Sequence, residues 1–274
     1  YLQAEPVKGL ILKAVLGVDR RYAKRDNYLP KTTMYGAAVN GQASINQDDA
    51  IDYLMDLTAT YTKAFKNHSL TALVGYSFQQ FNSKGVSAGN QDFLVDAFKY
   101  NNLGAGAYAK PSVGSWASKN TLGSYFGRIN YAFMDRYLLT ATVRADGAAN
   151  FNEDHRWGYF PSVSLGWRFS DEAFMARFNN VLSNGKLRAS YGQTGNSNIG
   201  NRTIDFYKTG NSNVFGEKGY IGVYASQLGN PLLTWETTSE YNIGLDLGFL
   251  NNRISAFVEY FNRTISDLLV KEKS

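Results

Sequence analysis

From Trp235 to Phe249 the chain reads WETTSEYNIGLDLGF, and its residues alternate in character. Trp235, Thr237, Ser239, Tyr241, Ile243, Leu245, Leu247 and Phe249 occupy one set of positions; Glu236, Thr238, Glu240, Asn242, Gly244, Asp246 and Gly248 occupy the other. Period two predicts a strand with one apolar face and one wet face. The pattern holds for about fifteen residues, where a globular strand usually runs about five or six.

Eight further segments alternate in the same way. The first, about 7 to 24, sets Leu10, Leu12, Ala14, Leu16 and Val18 against Lys13, Asp19 and Arg21. The second runs from about 50 to 65, with Ile51, Tyr53, Met55, Leu57, Tyr61 and Phe65 on its apolar side. The third covers 69–86, the fourth 118–133 and the fifth 136–148, where Tyr137, Leu139, Ala141 and Val143 oppose Arg136, Thr140, Thr142 and Arg144. The sixth, 156–169, places Val163, Leu165, Trp167 and Phe169 opposite Ser162, Ser164 and Arg168, and the seventh is 185–195. With 235–249 as the eighth, a ninth spans 252–268, where Phe257 and Phe261 break phase by falling on the polar side.

The connections between these segments are unequal. KNH (66–68), MD (134–135) and LNN (250–252) suit tight hairpin turns, since Asn and Asp tolerate left-handed backbone. The alternate connections, about 25–49, 87–117, 149–155 and 196–232, are mostly long. In an up-and-down meander all the turns then fall at one end and all the long loops at the other, as in outer-membrane barrels. One longer connection, 170–184, lies at the turn end. Ser170 there is a candidate cap, Asp171 and Glu172 suit a first helical turn, Phe174 and Phe178 lie one turn apart, and Gly185 is a candidate stop, which predicts a short amphipathic helix. A strand crosses a bilayer in about nine to eleven residues, and most of the nine segments reach that length. The predicted fold is therefore all-β: part of an antiparallel up-and-down transmembrane β-barrel. Single-chain bacterial barrels carry an even strand number, so nine strands imply a piece of a larger one. Tyr137, Leu139, Val143, Val163, Leu165, Trp167, Tyr241, Ile243, Leu245 and Leu247 are the candidate lipid-facing residues.

Composition changes this picture little. The mean hydropathy of −0.33 is that of many soluble chains, but a barrel also averages its two faces to an unremarkable value. The 19 Tyr and 17 Phe favour strands and membrane interfaces. With no cysteine, disulfides and thiol chemistry are excluded. The net charge of +5 is scattered; only Arg20, Arg21, Lys24 and Arg25 bunch, and they read as a solvated strand end rather than a nucleic-acid surface. The opening YLQAEPVKGL has neither a basic stretch nor an apolar core of the kind a secretory signal carries.

Catalytic chemistry finds no support. His68 falls in a turn and reads as solvated, and His155 sits beside Asp154 without a recognisable nucleophile setting. Asn150, Asn152 and Asp154 begin a calcium-loop spacing, but His155 and Pro161 stand where that loop needs Gly and Glu, so the motif fails; loop calcium held in another way stays open, and no other cofactor is expected. GQTGNSNIG (192–200) reads as a strand entering a flexible loop, because no helix follows to bind phosphate. Trp116, Trp157, Tyr207, Tyr220 and Tyr224, in or beside the long connections, are candidate substrate contacts, since aromatic faces stack on sugar rings and apolar side chains. Trp157 and its neighbour Tyr159 suit an interfacial aromatic belt better than a ligand contact.

Three stretches carry a resemblance. RADGAANFNEDHRWGYFPSVSLGWRFSDEAFM (144–175), LSNGKLRASYGQTGNSNIG (182–200) and GNPLLTWETTSEYNIGLDLGFLNNRISAFVEYFNRTISDLL (229–269) resemble the SusC/RagA family of TonB-linked outer-membrane transporters. The resemblance implies a 22-stranded barrel in the outer membrane of a Gram-negative cell. It also implies a plug domain in the lumen, a SusD-like surface lipoprotein as partner, and import of oligosaccharides or peptides driven by TonB–ExbB–ExbD. Residues 1–274 would then be a partial barrel domain, with the signal peptide, plug and last strands outside it. Two other readings fit the alternation: a passive porin-type channel, and a soluble carbohydrate-binding β-domain at the cell surface.

Overall fold

A computed structural model of the protein describes residues 1–178, 180–215 and 218–269, with side chains described outside 211–221. It contains twelve strands among the described residues: β1 (Leu2–Val7), β2 (Leu10–Leu29), β3 (Gln42–Phe65), β4 (His68–Gln91), β5 (Ser112–Phe133), β6 (Tyr137–Ala148), β7 (Trp157–Trp167), β8 (Leu182–Asn196), β9 (Phe206–Phe215), β10 (Lys218–Gln227), β11 (Glu236–Phe249) and β12 (Ile254–Ser266). Ten form one sheet in the order β1-β2-β3-β4-β5-β6-β7-β8-β11-β12, and β9 pairs with β10 in a separate two-stranded sheet. Apart from the inserted β9–β10 hairpin, neighbours in sequence are neighbours in the sheet, as an up-and-down meander requires.

All nine alternating segments are strands, and three strands are additional. β1 escapes the pattern because it is short and holds Pro6. Proline cannot donate to a ladder and is tolerated at a sheet edge. β1 is an edge strand, and its register with β2 shifts between Ala4 and Val7. β9 and β10 lie inside the connection read as a loop. Several strands also outrun their expected limits: β3 begins at Gln42, β4 continues to Gln91 and β5 begins at Ser112. In stretches such as QASINQDD polar residues fall on both faces, with Gln47 and Asp49 following Ala43 and Ile45, so the period-two contrast weakens while the backbone ladder continues.

The short amphipathic helix is not formed. Residues Phe169–Asp171 and Ala173–Phe178 are 3-10 turns. Ser170 lies inside the first of them and donates its hydroxyl to Asp171 Oδ1 at 2.9 Å instead of capping. Gly185 sits within β8, with the Phe169 ring where its side chain would be. The tight turns occur where expected, but residues other than Asn and Asp share the left-handed backbone: Lys66 (φ 48°), Met134 (φ 54°) and Leu250 (φ 53°) join Asp135, Asn251 and Asn252.

The chain's contacts divide into two units. One comprises residues 1–15, 55–78 and 122–274; the other comprises 16–54 and 79–121. The second unit carries a small core in which Ala43 and Phe93 are fully buried, with Tyr28 packed edge-on against Phe93 at 5.9 Å. Lys31 Nζ donates to the Leu94 carbonyl, Asn40 Nδ2 donates to Asp92 Oδ1, and Tyr28 donates its hydroxyl to Asp96. Thr33 Oγ1 caps a single helical turn, Met34–Ala37. In the first unit Ala148, Phe151, Phe160, Ile199 and Trp235 form a second buried cluster. Trp235 donates its indole N–H to the Arg156 carbonyl at 3.1 Å. Its sequence parity had placed it with Tyr241 on the apolar face; the structure buries it, 6% exposed, against Phe151 and Phe160. Trp235 precedes the first residue of β11, so strand parity does not govern it.

Candidate functional site

Register decides what the sheet presents. β6 pairs with β7 so that Tyr137 faces Trp167, Leu139 faces Leu165 and Ala141 faces Val163. β5 adds Phe133, Tyr131 and Ile129 opposite Tyr137, Leu139 and Ala141. β8 adds Leu187, Ala189 and Tyr191 beside Trp167, Leu165 and Val163, and β11 continues with Leu245, Ile243 and Tyr241. Tyr260 and Val258 of β12 complete the row. Directly opposed residues in an antiparallel pair share a face, so all ten residues expected to meet lipid lie on one side of the sheet, with Leu247 opposite Gly185 and Ala256.

Aromatic rings collect at both margins of this face. At the turn end Tyr137 stacks on Phe133, and Trp167 meets Phe169 and Phe174 at 5.9 and 6.4 Å. At the other margin Trp157 stacks on Tyr125 at 6.0 Å, and Tyr125 meets Tyr76 at 4.9 Å. Trp157 and Trp167 are the two ends of β7, ten residues apart. At roughly 3.3 Å per residue that is about 33 Å of strand, and a tilt of about 40° spreads it over about 25 Å of depth, the height of a lipid-facing band.

The opposite face is polar, and several of its charges are ion-paired. Arg188 lies 3.3 Å from Asp246 and 3.2 Å from Glu259, and Asn242 donates to the same Glu259 carboxylate. Gly244 makes room for that guanidinium, since a Cβ there would lie 2.6 Å from Arg188 Cζ. Arg263 pairs with Glu240 at 2.6 Å, and Arg144 pairs with the buried Asp146 at 2.7 Å. An open hollow of about 620 Å³ is lined by Thr140, Ser162, Ser164, Ser190 and Thr238, with Glu240 and Arg263 at its side. Phe257 and Phe261 lie on this face, opposite Asp246 and Asn242, and both are exposed.

At the turn end Glu172 ties three elements together. Its carboxylate accepts from the Tyr137 hydroxyl at 2.7 Å, the Trp167 indole N–H at 3.1 Å and Arg136 at 3.2 Å. These donors, with the Tyr137 hydroxyl foremost, hold its carboxyl below the usual carboxylate range. His68 is not a free turn residue: it opens β4, stacks on Phe65 at 4.8 Å and shares a 2.7 Å hydrogen bond with the Tyr131 hydroxyl. The basic stretch of β2 is ion-paired, Arg20 with Asp49, Arg21 with Asp52 and Lys24 with Asp26. The 192–200 stretch is anchored rather than flexible, because Ile199 enters the Trp235 cluster and Asn150 Nδ2 donates to the Ser197 carbonyl. No cluster of potential metal ligands occurs among the described residues.

The structure does not bring Trp157, Tyr207 and Tyr224 of the first unit to one face. Trp157 lies on the apolar face against Tyr125. Tyr207 and Tyr224 pair with Ala225 and Lys208, which puts them on opposite faces of the β9–β10 hairpin. Trp116 belongs to the second unit, and the Tyr220 side chain lies outside the described residues. Asp48, beside Trp116, carried no sequence signal: it is one of many strand carboxylates, and only pairing across three strands brings the two together.

A meander with one apolar, aromatic-rimmed face and one ion-paired face is the wall of a transmembrane β-barrel. The chain belongs to the TonB-dependent receptor family: the model of the TonB dependent receptor-like β-barrel matches residues 11–273. It is thus an outer-membrane protein. TonB-dependent receptor P3 of Formosa agariphila is 32% identical over 271 residues, 98% of this chain and 27% of that protein. TonB-dependent receptor SusC of Bacteroides thetaiotaomicron is 43% identical over 160 residues, 57% of this chain and 16% of that protein. A solved structure of the RagAB peptide transporter superposes with a TM-score of 0.86 at 30% identity, over 97% of this chain and 29% of that one. The chain spans about a quarter of the length of the curated Formosa relatives it matches.

Proposed function

We propose that residues 1–274 form part of the barrel wall of an active importer of oligosaccharides or peptides, energised through TonB–ExbB–ExbD and working with a SusD-like surface lipoprotein. The observation that carries this reading is the two-faced sheet in a chain of this family. Its apolar face, from Tyr137 to Val143 and from Val163 to Trp167, contacts lipid, and its polar face lines the conduit. Trp157 and Tyr159 serve the membrane belt rather than the ligand, since Trp157 stacks on Tyr125 at the margin of the apolar face. Strand residues beyond the lipid-facing band, among them Trp116 of β5, Tyr207 of β9 and Tyr224 of β10, meet the cargo.

The test is uptake by cells carrying the full-length receptor. Labelled oligosaccharide and peptide pools are supplied with and without a protonophore, in wild-type and TonB-deficient backgrounds. Accumulation that needs both the receptor and TonB supports the reading. Uptake indifferent to TonB and to the proton gradient would show a passive channel instead.

A further inference from the structure

In the second unit three strands bring an indole and a carboxylate to one spot. Gly85 of β4 lies between Asp48 of β3 and Trp116 of β5. A Cβ on Gly85 would collide with Trp116 Nε1 and would stand 2.7 Å from both Trp116 Cε2 and Asp48 Oδ1. Glycine is therefore what lets both groups settle against the same piece of backbone. Trp116 is 51% exposed and Asp48 is half-buried.

The charge arrangement around this shelf is uneven. Of the carboxylates on this part of β3, Asp49 is neutralised by Arg20 at 3.0 Å and Asp52 by Arg21. Asp48 has neither an ion pair nor a hydrogen bond among the described residues. A bare carboxylate beside an accessible indole attracts a cation twice over, by direct charge and by the negative face of the ring. A neutral sugar ring would use the indole but has no charge to set against Asp48.

The geometry points to a cation-binding subsite at Asp48, Gly85 and Trp116, which takes the ammonium or guanidinium group of a peptide cargo. This deepens the import reading above by naming the cargo class at one position, and it rests on that reading. Lysine, arginine and a free amino terminus all supply the required group.

The experiment is calorimetric titration of the detergent-solubilised full-length receptor with trilysine, and with triglutamate and maltohexaose for comparison. Wild-type receptor is expected to bind trilysine and not triglutamate, more weakly as salt rises. Asp48→Asn and Trp116→Ala are each expected to weaken trilysine binding about tenfold, and Trp116→Phe by less. Heat-dependent gel mobility establishes that each variant is a folded barrel, and Gly85→Ala is a second route to displacing both groups. The proposal is overturned if wild-type receptor does not bind trilysine, or if Asp48→Asn binds it equally well. It is also overturned if Trp116→Ala abolishes maltohexaose binding while Asp48→Asn changes nothing, which would give the shelf to a sugar. Trilysine binding that persists where TonB-dependent uptake is absent would remove the import reading and leave the subsite standing.

Discussion

Leu165 and Ser164 are adjacent residues with opposite surroundings, because successive side chains of β7 point to opposite faces. Leu165 lies between Leu139 and Ala189 in the middle of the apolar face, and Ser164 lies between Thr140 and Ser190 on the polar one. An arginine in mid-bilayer costs about 2–4 kcal/mol. Leu165→Arg is therefore expected to lower the stability of the refolded full-length barrel by about that amount, read from urea unfolding in lipid, while Ser164→Arg changes it little. Equal effects of the two would invert or abolish the face assignment. Glu172 supplies a pH-dependent contribution. Its carboxyl titrates below its unfolded value because Tyr137, Trp167 and Arg136 donate to the charged form. The contribution is complete above the unfolded pKa of about 4.3 and fades as pH falls through the lower folded value. Wild type should thus be more stable than Glu172→Gln near neutral pH, with the difference closing as pH falls below the unfolded value. A difference constant with pH would remove the carboxylate from this role.

Elements are joined by turns and clusters that strand periodicity does not encode. Met134 and Asp135 both adopt left-handed backbone between β5 and β6, the conformation of a two-residue hairpin that prefers Asn-Gly. The left-handed well costs an L-residue about 1–2 kcal/mol. Replacing Met134 with Asn and Asp135 with Gly is expected to raise barrel stability by about 1 kcal/mol, measured by the same unfolding assay. At the far ends of the strands the Trp235 cluster holds the connections after β6 and β8. Trp235→Ala should cost about 3 kcal/mol locally and open residues 149–156 and 197–205 to protease. Limited proteolysis followed by mass spectrometry reads this directly. Unchanged cleavage there would show that the cluster does not anchor these loops.

For the whole molecule the decisive feature is the pair of edges. β1 and β12 each have a single neighbour, and the backbone groups on their outer sides have no strand partner among the described residues. A hydrocarbon environment does not tolerate unpaired strand edges, and exposed edges template self-association. The 274-residue chain refolded alone is expected to form oligomers in detergent, and the full-length receptor monomers, as read by light scattering. A stable monomer of the short chain would mean that the sheet satisfies its edges in some other way.

Period-two alternation alone determined the meander, the two faces and the positions of the three tight turns, because strand geometry forces neighbouring side chains apart and a lipid face admits no charge. The same signal failed wherever that physics relaxes. β1 holds a proline at an edge, polar residues fall on both faces at the starts of β3 and β5, and the 169–178 segment satisfies its backbone by 3-10 turns around Glu172 instead of a helix. The tertiary structure alone decided that Trp235 leaves the face its parity assigns, that His68 stacks between strands, and that Asp48 meets Trp116. Each of those outcomes depends on which residues of distant strands stand opposite one another. That register is fixed by the pairing of whole ladders and by glycines such as Gly85 and Gly244, which open space only for a partner the linear sequence does not name.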